Sequence, residues 1–330
     1  MRSYVLVLGL GISATLVLSL DACVGDATNP APTDAGTDAG LDSARDAAPL
    51  VDASDAASAA CDLSSPFGKP VLLAGAVNSS GNDGAIWLFP DRLTAFVSST
   101  RGDGGGAYAI YSGTRANDTS AFATMEPVVE LNVIATGAGS QGMTLTADGL
   151  TVYFLNGPGG AYDVYTATRT TPTAKFQAPA LVAGGVNQNG GGAGEDFPDW
   201  ISPDGTTLYF TSNRSSSTLR DIYVATRAGS GPFGAPVPLA SVNSDENEQT
   251  IVLSADELQA FITRRTGALY YATRSKKTDG FSLPQPIAEL QSIAATVSHA
   301  SADGCTIYFD SPSADGGVGG YDLYSATRGK

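Results

Sequence analysis

Between residues 61 and 330 one pattern recurs five times at a spacing of about 50 residues, and that period limits the possible folds more than any other property of the chain. Its clearest copy, residues 202–227, reads SPDGTTLYFTSNRSSSTLRDIYVATR. It joins a turn signal, Ser202-Pro203-Asp204-Gly205, to two runs rich in β-branched and aromatic residues. The turn aspartates fall at Asp91, Asp148, Asp204, Asp256 and Asp303. Each is followed by an aromatic-bearing strand: LTAFVSS, LTVYFLN, TTLYFTS, LQAFITR and CTIYFDS. A further strand closes each copy on Thr-Arg, with the arginines at Arg115, Arg169, Arg227, Arg274 and Arg328. A third element carries a phenylalanine, then proline, as in FGKPVLL, FQAPALV and FGAPVPL.

Several short strands per period of this length are the mark of propeller blades rather than helical solenoids. Five copies predict an all-β, five-bladed β-propeller with inner strands just before each turn aspartate. The phenylalanine-proline element at residues 67–73 precedes the first turn, and none follows Arg328. The N-terminal strand is therefore expected to complete the last blade and so remove the open sheet edge. Within a blade, turn and terminal arginine should lie at one level, which predicts clips such as Asp204 with Arg227.

The Ser-Pro-Asp-Gly turn, aromatic strand and Asp221-Ile222-Tyr223 resemble the WD-repeat-like blade of the TolB periplasmic propeller family over residues 66–330. The third copy matches closely, whereas Arg92 and Glu257 replace the turn glycine in the first and fourth. The resemblance implies partner binding at the cell envelope without catalysis. That family's propeller has six blades and a separate N-terminal domain, features this chain lacks, so its particular partners do not transfer.

The first 22 residues read as a signal peptide: Arg2, an apolar run over residues 4–20, and a small residue before Cys23. Leu20, Ala22 and Cys23 resemble the lipobox of bacterial lipoproteins, with Asp21 a departure, which makes Cys23 the expected lipidation site. Ordinary cleavage near Ala22 is one alternative, and an uncleaved anchor, its apolar run slightly short of the roughly 20 residues that span a bilayer, is the other. Residues 23–60 follow as a tether rich in Asp, Ala and Pro and without an aromatic residue, so no core can form there. The expected location is thus the cell envelope, at the outer membrane. A formal charge of −15 excludes nucleic acid, which needs a basic stripe. Cys61 and Cys305 stand at the two sides of the predicted ring closure, which predicts a disulfide in an oxidising compartment; two separate buried thiols are the alternative.

Function is less legible. Eight residues before the turn aspartates stand Asp83, Ser140, Asp196, Glu248 and Ala295, with Glu195 and Glu246 beside two of them. Asp83, Asp196, Glu248, Glu195 and Glu246 are thereby expected as an acidic mouth where inner strands open into the channel. Such a mouth could bind a divalent cation such as calcium, a sugar or a cationic peptide. It could also perform acid/base chemistry of the glycosidase type. No cofactor motif or firm metal set is present. His299 is the sole histidine, so no Ser-His-Asp site is expected, and Trp87 and Trp200 read as blade packing. Two function classes follow: a monomeric, non-catalytic scaffold that binds an envelope protein or glycan on its long-loop face, or a carbohydrate-active enzyme.

Overall fold

Every copy of the repeat forms a four-stranded antiparallel sheet in the computed structural model. The structure describes residues 61–102, 106–133, 140–157, 162–188, 191, 194–215, 219–312 and 316–329. The expected signal peptide, Cys23 and the expected tether lie outside the described residues.

The first blade comprises β2 (Asp83–Leu88), β3 (Thr94–Ser99), β4 (Ala109–Thr114) and β5 (Glu126–Pro127). The second contains β6 (Ser140–Leu145), β7 (Thr151–Asn156), β8 (Asp163–Thr168) and β9 (Ala180–Leu181). The third contains β10 (Asp196–Ile201), β11 (Thr207–Ser212), β12 (Asp221–Thr226) and β13 (Val237–Pro238). The fourth contains β14 (Glu248–Leu253), β15 (Gln259–Arg264), β16 (Ala268–Thr273) and β17 (Gln285–Pro286). In the fifth, β18 (Thr296–Ala300), β19 (Thr306–Ser311) and β20 (Asp322–Thr327) are completed by β1 (Val71–Leu72). Val71 lies opposite Ser325 and Leu72 opposite Tyr324, so the N-terminal strand closes the ring as the repeat order predicts. The inner strands β2, β6, β10, β14 and β18 each neighbour the next around the channel.

Second strands are buried nearly end to end because a neighbouring blade covers each of their faces. Five apolar clusters fill the seams. One joins Trp87 and Phe96 to Leu145, Phe154 and Phe176, and another sets Phe67 and Phe261 against Phe309 and Tyr324. At the seam of ring closure, Cys61 and Cys305 form a disulfide, with Cys305 in the turn before β19. The Asp62 N–H adds a bond to the Gly329 carbonyl at 3.1 Å.

The proposed carboxylate–arginine clip takes a different form. Arg227 Nε donates to the Gly205 carbonyl at 2.7 Å, while Asp204 accepts from Ser202 Oγ at 2.6 Å and the Thr206 N–H at 3.0 Å. The aspartate is used up closing its own turn, so the arginine binds turn backbone. Arg115, Arg169 and Arg274 do the same with the carbonyls of Arg92, Gly149 and Glu257. Each terminal guanidinium also stacks on the phenylalanine of the third element, with centroids 4.4–4.8 Å away: Phe122, Phe176, Phe233, Phe281 and, for Arg328, Phe67. The two departures from glycine hold the same left-handed turn, at φ 60° for Arg92 and 61° for Glu257 against 71° for Gly205.

A second recurrent device brings backbone against backbone between blades. Gly184, at φ 102°, bridges Phe233, and a Cβ there would stand 1.9 Å from the Phe233 carbonyl oxygen. Gly184→Ala is expected to lower unfolding stability by more than about 2 kcal/mol, since backbone must move as well as strain. Gly229→Ala, at φ 56° but facing open space, should lose only about 1 kcal/mol. Urea midpoints compare the two, and equal losses would refute the close-approach account.

Candidate functional site

The structure places Asp83, Asp196 and Glu248 at the first positions of β2, β10 and β14, with all three fully buried. Each is held by an arginine of its own blade. Arg101 approaches Asp83 to 2.7 Å, Arg214 approaches Asp196 to 2.8 Å, and Arg264 approaches Glu248 to 3.2 Å. The same arginines donate to carbonyls of the incoming loop, at Ala76 and Val77, Gly185 and Val186, and Val242. Loop N–H groups complete the clasp, from Ser79 to Asp83, Gln188 to Asp196 and Ser244 to Glu248. Burial raises the Glu248 pKa, opposed by Ser244 and Arg264. Glu195 and Glu246 are part-exposed and only loosely paired, 3.9 Å from Arg220 and 3.7 Å from Arg265. The five carboxylates therefore do not converge on one open mouth. Three of them pin loops to blades, and among the described residues no group of three or more His, Cys, Asp or Glu is arranged to hold a metal ion.

What lines the channel instead is set by a bulge in every inner strand. Pairing shifts register at Gly84 and Ala85 in β2, Gly142 in β6, Asp199 in β10, Gln249 in β14 and Ser298 in β18. An extra residue reverses the alternation of faces and re-aims side chains. All of these residues border a cavity of about 320 Å³. Its charged and phenolic lining consists of Asp199, Asp310, Arg220 and Tyr108, with Gln141 and Thr250 among the neutral polar groups. Arg220 and Tyr108 occupy equivalent positions, immediately before β12 and β4.

Both cavity acids are nine-tenths buried, and Asp199 Oδ2 has no hydrogen-bond partner among the described residues. Burial drives the Asp199 pKa well above the ordinary 3.8, opposed by Arg220 and by bonds from Thr211. Burial likewise raises Asp310 to about 7, against its own backbone N–H. Tyr108 is raised to about 12 by burial, then by the nearby Asp310. Perturbed acids gathered in a concave, polar cavity mark a candidate site on physical grounds.

Sequence reasoning missed these groups. Asp199 is hidden by the bulge. Asp310 was visible in principle: it fills the position held by Ser98, Leu155, Thr211 and Thr263 in the other second strands. A cavity of about 360 Å³ on the turn side carries Trp87, Trp200, His299 and Tyr308. Trp87 packs on Phe89, Phe96 and His299, and Trp200 on Tyr209. Burial lowers His299 to about 4, leaving it neutral near pH 7.

Two outcomes test this division of roles. Asp196→Asn should lose about 3 kcal/mol of stability by leaving the largely buried Arg214 with a neutral partner. Glu195→Gln should change it by less than about 0.5 kcal/mol in the same denaturant titration. For Asp310, the folded chain keeps its proton between pH 3.8 and about 7 while the unfolded chain releases it. Stability should therefore fall as pH rises through that window, by at most roughly 1.4 kcal/mol per pH unit. Asp310→Asn should melt like the native chain below pH 4 and higher than it above pH 7; equal melting at both would refute the shift.

No family model matches the chain, and no curated protein matches it. Solved structures similar to it include a protein described as TolB from Agrobacterium tumefaciens, 14% identical, covering 65% of this chain and 68% of that one, with a TM-score of 0.44. TolB from Acinetobacter baumannii is 16% identical over 81% of this chain and 56% of its own length, with a TM-score of 0.39. A protein described as a glycoside hydrolase from Parabacteroides distasonis is 10% identical over 81% and 94%, with a TM-score of 0.48.

Proposed function

We propose that this chain is an exported lipoprotein of the bacterial envelope, anchored at the outer membrane through Cys23, whose propeller binds a ligand without turning it over. The observation that carries the binding role is Asp199 Oδ2, buried in the wall of the channel cavity with no hydrogen-bond partner among the described residues. A buried acceptor left this way is unfavourable until something supplies a donor. The export reading is supported by the Leu20-Asp21-Ala22-Cys23 run, the Asp- and Ala-rich stretch after it, and the Cys61–Cys305 disulfide. Against catalysis stand the arginine clasps on Asp83, Asp196 and Glu248, and the placement of the sole histidine at the turn-side cavity.

One observation favours the second reading, a carbohydrate-active enzyme: Asp199 and Asp310 share a cavity and both hold raised pKa values suited to proton transfer. Assay of the full chain on envelope glycans separates the two. The binding role predicts no product above background; product formation abolished by Asp310→Asn would establish the enzyme. For the anchor, the native chain should fractionate with membranes and carry a lipid mass on its N-terminal peptide, whereas Cys23→Ser should be recovered soluble. A native chain without that mass would refute lipidation.

A further inference from the structure

We propose that the channel cavity is a receptor site for a free α-amino acid held as its zwitterion, the ammonium against Asp199 and Asp310 and the carboxylate against Arg220. The proposal rests on the binding role above and gives that role a ligand class.

Size comes first. At about 320 Å³ the cavity stands at the low end of organic ligand sites, which run from roughly 300 to 1,000 Å³. It suits a small molecule rather than a glycan chain or a folded partner.

Charge then narrows the chemistry. Asp199 projects from β10 of the third blade and Asp310 from β19 of the fifth, and both border the same space. Thr211 serves the Asp199 carboxylate but leaves Oδ2 without a partner among the described residues, and an open carboxylate oxygen is best satisfied by a hydrogen-bonding cation, a preference that a second carboxylate strengthens. The opposite charge is present too. Arg220 also lines the cavity, stacked on Phe197 at 4.3 Å, and the carboxylate paired with it, Glu195, stands 3.9 Å away, beyond hydrogen-bonding distance. A simple cation would meet Arg220 as a repulsion and a simple anion would meet the two acids. A ligand with both charges one carbon apart meets neither, while Gln141 and Gln249 offer neutral bonds around it.

Other ligand classes fit less well. A sugar is usually held on a free aromatic face; of the two rings that line the cavity, Phe197 is covered by Tyr162 at 5.4 Å and by Arg220, which leaves Tyr108 alone, and both tryptophans face the turn-side cavity. A divalent cation favours several oxygen ligands of high charge, and the described residues group no three acids for one.

Calorimetric titration of the full chain near pH 8 with glycine, L-leucine, L-lysine and L-glutamate tests the proposal. At least one should bind, and its N-acetyl derivative and its amide, each lacking one charge, should bind roughly tenfold or more weakly. Asp199→Asn should abolish the preference for the free amine but keep the preference for the free carboxylate, and Arg220→Gln should do the reverse. The native fold of each variant is checked by its melting curve; since the Asp199 charge is unfavourable in the empty site, Asp199→Asn should melt no lower than the native chain. Binding that ignores loss of either charge would overturn the proposal, as would binding of glucose or calcium but of no amino acid. Those results leave the binding role standing with another ligand. Conversion of a bound amino acid to product would instead overturn the non-catalytic role and keep the ligand class.

Discussion

The fold depends on one interaction made five times: a terminal arginine set over a phenylalanine in the segment that leads into the outermost strand. Outer strands of two residues make too few backbone bonds to hold themselves. The guanidinium supplies the missing attachment, adding about 0.5–1 kcal/mol of cation–π attraction while four of the five arginines fix the turn carbonyl beneath them. One side chain thereby ties the third strand, the turn and the approach to the outer strand together. In the fifth blade the phenylalanine is Phe67, so the same contact that finishes each blade also shuts the ring.

A different economy operates at the other end of the blades. There Asn132, Asn187 and Asn243 each accept from one backbone N–H and donate to the same residue's carbonyl, at Ile110, Val164 and Ile222. Asn78 does so with Leu323 across the seam. These amides act as one-residue strands that extend the ladder into the loops. The Asp83–Arg101, Asp196–Arg214 and Glu248–Arg264 pairs then lock the same loops in place. With loops anchored from behind, the inner strands can bulge, and the bulges give the channel its polar lining.

The fold was legible because its punctuation is chemical. A turn aspartate that caps its own hairpin, a left-handed turn position and a stacking arginine recur wherever a blade needs them, and order alone then shows how the ring closes. The site was not legible by counting. Stepping back eight residues from Asp204 finds Asp196, a blade-facing group, because the bulge at Asp199 shifts the phase of faces in between. Asp310 needed no geometry, only comparison of five equivalent strands at the one position where a carboxylate breaks the pattern. Arg220 and Tyr108 share a position too, but nothing in composition says that a residue before the third strand reaches the channel. The lipidation at Cys23 and the signal peptide before it are expectations from sequence alone.

The disulfide has a mechanical meaning. The chain enters the ring at Cys61, ten residues before β1, and Cys61 is bonded directly to the turn ahead of β19. Tension applied through the N-terminal segment thus passes by covalent bonds into the centre of the fifth blade. The two-residue strand that completes that blade stands behind the load rather than in its path. Without the bond, the same pull would peel β1 from its edge one hydrogen bond at a time and open the ring at its only non-continuous blade.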